Sequence, residues 1–180
     1  MLQSFIVYGF LGLSLWWFGA IAAKRERINS SLGRETSFLT WEMIIPMLLF
    51  AFISGVRWKV GTDHQSYLQE YLYLLGGEID REYEGAFLYI SLLFAKLNIH
   101  FTVFFGFWAL LQILFIYLAF KDERYLFPFM GLIIVFGGYY LGWMNIIRQS
   151  IAAGIFVYSI QFITKRDPIR YFLFIFLAFL

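Results

Sequence analysis

AFLYISLLFAKL, residues 86–97, is almost wholly apolar, yet it is only twelve residues long. As a helix it would rise about 18 Å, whereas a bilayer's hydrocarbon core is about 30 Å thick and takes about 20 residues to cross. Whether this piece crosses decides which way every later helix faces. A membrane is the expected solvent. The 180 residues are 61% hydrophobic and 23% aromatic, with a mean hydropathy of +0.72 and 14% charged residues, more apolar surface than a soluble domain of this size can hide. The formal net charge of +2 is too small to suggest nucleic acid as a partner. With no cysteine there is no disulfide, no thiolate nucleophile and no cysteine metal site. The two histidines, His64 and His100, are too few for a histidine metal cage, so neither metal nor cofactor is expected.

Upstream lies the longest polar segment, Arg57 to Gly85, with six acids (Asp63, Glu70, Glu78, Asp80, Glu82, Glu84) against Arg57, Lys59 and Arg81. Inside it, Asp63 to Leu75 reads as an amphipathic helix. Tyr67, Tyr71 and Leu74 recur at helical spacing, Thr62 stands as N-cap, and Gly76-Gly77 stops it. Before that segment come a span over Leu2 to Ala23, a polar loop over Glu26 to Glu35, and a second span from Trp41 to about Val56 with Pro46 as a kink. The cluster Lys24, Arg25, Arg27 follows the first apolar run instead of preceding it, which argues for a retained helix and against a signal peptide. Downstream, Phe101–Phe120, Tyr125–Leu141 and Trp143–Ile163 are span candidates. A last run begins at about Arg170 and stops at Leu180 with no polar cap, so the sequence reads as the front part of a longer protein.

Charge decides the short segment. If residues 86–97 cross, the alternating topology puts six basic residues inside and eight outside. If they dip in and return, the inside set is Lys24, Arg25, Arg27, Arg34, Lys121, Arg124, Lys165, Arg166 and Arg170, nine against five, as the positive-inside rule prefers. The expected fold is therefore all-α: one polytopic membrane domain over 1–180, with about five to seven membrane helices. Its polar segment 57–85 lies on the outer face and a re-entrant piece spans 86–97.

A second polar island, Asn145-Ile146-Ile147-Arg148-Gln149-Ser150, interrupts apolar sequence. In a continuous helix Arg148 would lie roughly 8 Å below Trp143. A charge there costs roughly 1–3 kcal/mol, less if the side chain snorkels outward. Asn145, Arg148 and Gln149 would share a face, and the small residues Ser150, Ala152, Ala153 and Gly154 let neighbours approach. The plain reading of Arg148 is an interfacial snorkel or a structural ion pair. The functional one is a guanidinium holding phosphate or carboxylate. Arg57 and Lys59 would ordinarily be interfacial anchors, but Gly61 (a tight turn), Asp63 and Tyr67 keep Arg57 in reactive company. Asp63 is either a dipole-stabilising carboxylate or a general base that could also orient Arg57; Glu84 is either a solvated acid or a base or sugar-hydroxyl ligand.

The run of Arg57, Gly61-Thr62-Asp63, Tyr67, Glu84-Gly85 and Ile147-Arg148-Gln149-Ser150-Ile151-Ala152 resembles the EpsG-type family, over about residues 40 to 163. That family is similar in role to the O-antigen polymerases (Wzy-like) of bacterial envelope polysaccharide pathways. The resemblance implies a membrane glycosyltransferase of the bacterial cytoplasmic (inner) membrane. It would move a growing glycan from undecaprenyl pyrophosphate to the next lipid-linked repeat at the outer face. Asp63, Glu84 and Arg148 would be the catalytic residues, with Arg57, Tyr67, Asn145 and Gln149 holding substrate. The lipid-linked oligosaccharide and the bilayer are the implied partners, with a chain-length regulator and a flippase of the same pathway as candidates. Two other classes stay open. A transporter of lipid-linked sugars would favour repeated bundles and polar groups nearer the midplane, and a non-catalytic subunit of a polysaccharide assembly complex would leave Arg148 without a substrate.

Overall fold

The computed structural model describes residues 2–58, 60–77 and 85–179, and among them the chain is helical with no strand. Its first element, α1 (Leu2–Ser31), runs well past the apolar stretch, so the loop expected from Glu26 begins only after Ser31. Side chains and a cap hold the extra turns. Arg25 Nη1 meets both carboxylate oxygens of Glu42 at 3.0 and 2.9 Å, and Glu26 Oε2 accepts from the Arg124 backbone N–H at 3.1 Å. The helix then ends on paired bonds, Arg34 N–H to Asn29 O and Gly33 N–H to Ser30 O, with Gly33 left-handed at φ +65°.

The second span is α2 (Trp41–Gly55), with Pro46 inside it as expected. Its partner, α5 (Phe101–Ala119), is the central helix, packed on α2 along one side and on α8 (Ile147–Thr164) along the other. Glycines set the approach of α2 and α5. A Cβ on Gly106 would lie 3.2 Å from the Ala51 carbonyl oxygen, and one on Gly55 would strike the Thr102 carbonyl oxygen. The end of α2 therefore touches the start of α5, so residues 56–100 leave and return at the same end of the bundle.

Between them α3 (His64–Leu75) and α4 (Ala86–Lys96) form a hairpin. At eleven residues α4 reaches about 16 Å. It does not carry the chain to the other end of the bundle. Helix α3 starts one residue later than expected. Asp63, not Thr62, is the N-cap residue, and it makes no side-chain capping bond. Its buried face is His64, Leu68, Tyr71 and Leu74, with Tyr71 Oη bonded to the Ile99 carbonyl at 2.7 Å.

The next two expected spans are broken. A 3₁₀ turn (Arg124–Leu126) leads into α6 (Phe127–Phe136), which stops at Gly137-Gly138, where Gly138 adopts φ +81°; α7 (Tyr139–Trp143) then gives out before Asn145. The carbonyls freed by the second break must be satisfied if this region sits in lipid. Gln112 Nε2 donates to Trp143 O at 3.0 Å and to Ser150 Oγ at 2.7 Å, Arg57 Nη2 donates to Met144 O at 3.0 Å, and Ser150 Oγ donates to Ile147 O at 2.8 Å. The last helix, α9 (Pro168–Leu177), opens on Asp167, whose Oδ1 accepts from Arg170 N–H, and packs back along α8.

The ends of the bundle differ in chemistry. At one, buried Arg124 donates from Nε to Lys121 O and from Nη2 to the carbonyls of Thr36 and Ser37. Beside it lies a broad basin of mixed charge lined by Lys24, Glu26, Arg27, Arg34, Lys121 and Asp122. At the other lie Arg57, α3, α4 and the break before α8. By length and composition, the helices over Ser4–Ser31 and Phe101–Ala119 could cross a membrane, whereas Trp41–Gly55, Ala86–Lys96, Arg124–Phe136 and Pro168–Leu177 are apolar but shorter.

Candidate functional site

The two polar islands meet at the Arg57 end. Arg57 follows α2, is 7% exposed, and lies with its guanidinium carbon 5.2 Å from the centre of the Phe105 ring. Its Nη2 goes to Met144 O, but Nε and Nη1 have no hydrogen-bond partner among the described residues, and no carboxylate there pairs with it. Burial pulls its pKa down to about 10, against the hydroxyls of Tyr140, Tyr8 and Tyr67, so it stays charged at neutral pH. A buried cation facing hydroxyls and two idle donors is suited to an incoming anion.

Arg148 is not deep in a helix. Because α8 starts at Ile147, Arg148 is its second residue, at the positive end of the helix dipole, which corrects the expected 8 Å depth below Trp143. Half-buried, it places its guanidinium carbon 5.8 Å from the centre of the Phe87 ring on α4. The same break takes Asn145 out of the helix, so the expected shared helical face of Asn145, Arg148 and Gln149 does not form. Asn145 sits in the turn with Oδ1 buried against Gly61, and Gln149 points to the exterior.

Tyr67 is the hub. Half-buried on α3, it lies 6.4 Å from the Phe87 ring, feels the charge of both Arg57 and Arg148, and faces the Ile147 amide in the first turn of α8. Burial raises its pKa more than Arg148 lowers it, with Asp63 and Glu70 adding to the rise, so the phenol stays protonated and can donate. Asp63 is exposed at the start of α3, within the field of Tyr67; it does not reach Arg57, so it does not orient that guanidinium. Glu84 and Lys59 lie outside the described residues. Among the described residues no three His, Asp or Glu side chains gather as a metal cage would need.

Gly61 joins the islands. Its φ of +95° suits glycine, and any Cβ would collide with Asn145 Oδ1. Gly61→Ala should therefore cost about 1–3 kcal/mol. In detergent it should lower the unfolding temperature more than Gly33→Ala, where φ is also positive but the space is open.

Two residues escaped the sequence reading. Glu70 sits one turn along α3 from Tyr67, half-buried, where the spacing of three could have marked it. His64 looks ordinary in sequence, yet it is 1% exposed, 5.0 Å from the Phe105 ring, with neither ring nitrogen bonded among the described residues. Burial and then the Arg57 charge hold its pKa below the usual 6.5. The unfolded chain takes up this proton first, so stability should be full above about pH 6.5 and drain as pH falls through that value toward the lowered folded one. Thermal unfolding of His64→Phe should be flatter over that range than that of the parent.

A family model described as the EpsG family matches residues 40–180, from the start of α2 through α9 and so both islands. No curated protein and no solved structure matches the chain. With the family's reach and the two long apolar helices together, this is a polysaccharide-related membrane protein, and it belongs to the EpsG family.

Proposed function

We propose that the protein polymerises an envelope or exopolysaccharide in the bacterial cytoplasmic membrane, with the Arg57 end facing outward. It would transfer a growing glycan from undecaprenyl pyrophosphate to a sugar hydroxyl of the next lipid-linked repeat. The observation that carries this is Tyr67 within the field of two arginines, one just after α2 and one in the first turn of α8, with a carboxylate at the head of its own helix.

In the reaction the bond between the anomeric carbon and the pyrophosphate oxygen breaks while the acceptor oxygen bonds to that carbon. A carboxylate, Asp63 first and Glu84 second, takes the acceptor's proton, and the pyrophosphate leaves with its negative charge. Arg57 and Arg148 offset that charge in a poorly hydrated setting, where charge-assisted hydrogen bonds are strongest. Tyr67 donates to a phosphate or sugar oxygen, and Asn145 and Gln149 offer amides to the glycan.

The test is chain extension by the purified full chain in lipid nanodiscs supplied with a lipid-linked repeat unit. Ladders of increasing glycan length support the proposal. Repeats carried across the bilayer without lengthening would instead make the protein a transporter.

A further inference from the structure

The first turn of α3 is seated on the bundle by one side chain. From Gly61 to Ser66 every residue is exposed except His64, which is 1% exposed. Neither ring nitrogen of His64 has a hydrogen-bond partner among the described residues. The imidazole lies 5.0 Å from the Phe105 ring on α5 and 6.3 Å from the Trp58 ring, just after α2. Arg57 rests its guanidinium on that same Phe105 ring at 5.2 Å. Of the groups packed on His64 from α5 and from the end of α2, Arg57 alone is charged; on α3 itself, the neighbouring Asp63 is exposed. A protonated imidazole would thus be a second buried cation beside Arg57, with no carboxylate packed against either among the described residues. A proton therefore favours any arrangement that brings His64 out to water.

The smallest such arrangement is local. Farther along α3, Tyr71 Oη is bonded to Ile99 O at 2.7 Å, its ring stacks on Phe104 at 4.1 Å, and Tyr67 faces the Ile147 amide. Nothing comparable holds the residues before Tyr67: Asp63 makes no side-chain capping bond, and Thr62, Gln65 and Ser66 are exposed. Local opening draws on such weakly attached segments before the core gives way. We propose that His64 is a proton-operated latch, which while neutral seats residues 61–66 against Phe105 and when protonated lets them leave. The latch stands without the polymerase reading, but its consequence rests on it. The segment carries Asp63, so acid at the Arg57 end would take the proposed base away from Tyr67 and Arg148 and slow glycan extension.

The experiment is hydrogen–deuterium exchange of the full chain in lipid nanodiscs at about pH 7.5 and about pH 5.5, corrected for the intrinsic effect of pH on exchange. The readout is the amides of Tyr67 to Glu70, which bond to the carbonyls of Asp63 to Ser66 in the first turn of α3. A proton taken up by the open form alone multiplies its population about tenfold one pH unit below 6.5. Protection of these amides should therefore fall about tenfold at the lower pH, while α5 amides from Phe105 to Tyr117 keep theirs. His64→Phe, or His64→Leu where the first does not assemble, should abolish the response. His100→Asn should not, because His100 is exposed and its Nδ1 accepts from Thr102 N–H at the start of α5, a role asparagine also fills. Flat protection in the parent, a loss shared with α5, or a response that survives removal of His64 overturns the latch. Chain extension is measured apart, so the two readings fail separately. A pH response without extension at either pH removes the polymerase and keeps the latch; extension with flat protection does the reverse.

Discussion

Cells carrying Arg148→Ala at matched abundance are expected to lose long glycan chains and to accumulate single lipid-linked repeats outside the membrane. The size of the effect follows from its place. At the second position of α8 the guanidinium adds to the positive helix end, and it is held over Phe87 instead of trailing into solvent. Losing one preorganised donor set aimed at developing charge costs about 10²–10³ in rate. Arg148→Lys keeps the charge but not the planar fork, so it should recover only a minor share of the long chains. A purely interfacial arginine would tolerate lysine, and an unchanged length distribution in either variant would make Arg148 structural. Repeats accumulating on the inner side would point to transport.

The position of that arginine shows where sequence reading stops. Hydropathy found the apolar runs, and the shortness of 86–97 with the charge count pointed to a piece that dips in and returns. Hydropathy cannot see a break in a run that stays apolar on both sides. Trp143 to Ile147 is greasy throughout apart from Asn145, so the span opened at Trp143 was read as continuous to Ile163. The break before α8 is held by Gln112 and Arg57 from distant parts of the chain, contacts with no local signature. The same holds for α1, whose last turns depend on Glu42 and Arg124, neither of them near in sequence. The islands themselves were legible because polar residues stand out against apolar sequence. His64 was not, because its burial comes from Phe105 and Trp58, which pack on it from other elements.

Arg57 invites the opposite expectation from a buried structural charge. Arg57→Met keeps much of the volume and the contact with Phe105 while removing the cost of burying a cation that has no carboxylate partner among the described residues. It also gives up one bond to Met144 O, worth about 1.5–3 kcal/mol for a charged donor. The two terms oppose each other and are similar in size, so the unfolding temperature in detergent should move by no more than a few degrees. In the proposed reaction the pyrophosphate would lose a charge-assisted anchor, so glycan extension should fall by about 10²–10³. Gln112→Ala is the contrast. It strips the Trp143 carbonyl and the Ser150 hydroxyl of their partner at the same break, so stability should drop by about 1–3 kcal/mol, with activity following abundance. If Arg57→Met instead unfolded as readily as Gln112→Ala, with residual activity tracking the folded fraction, Arg57 would be a brace for the break before α8, and the anion would have to be held by Arg148.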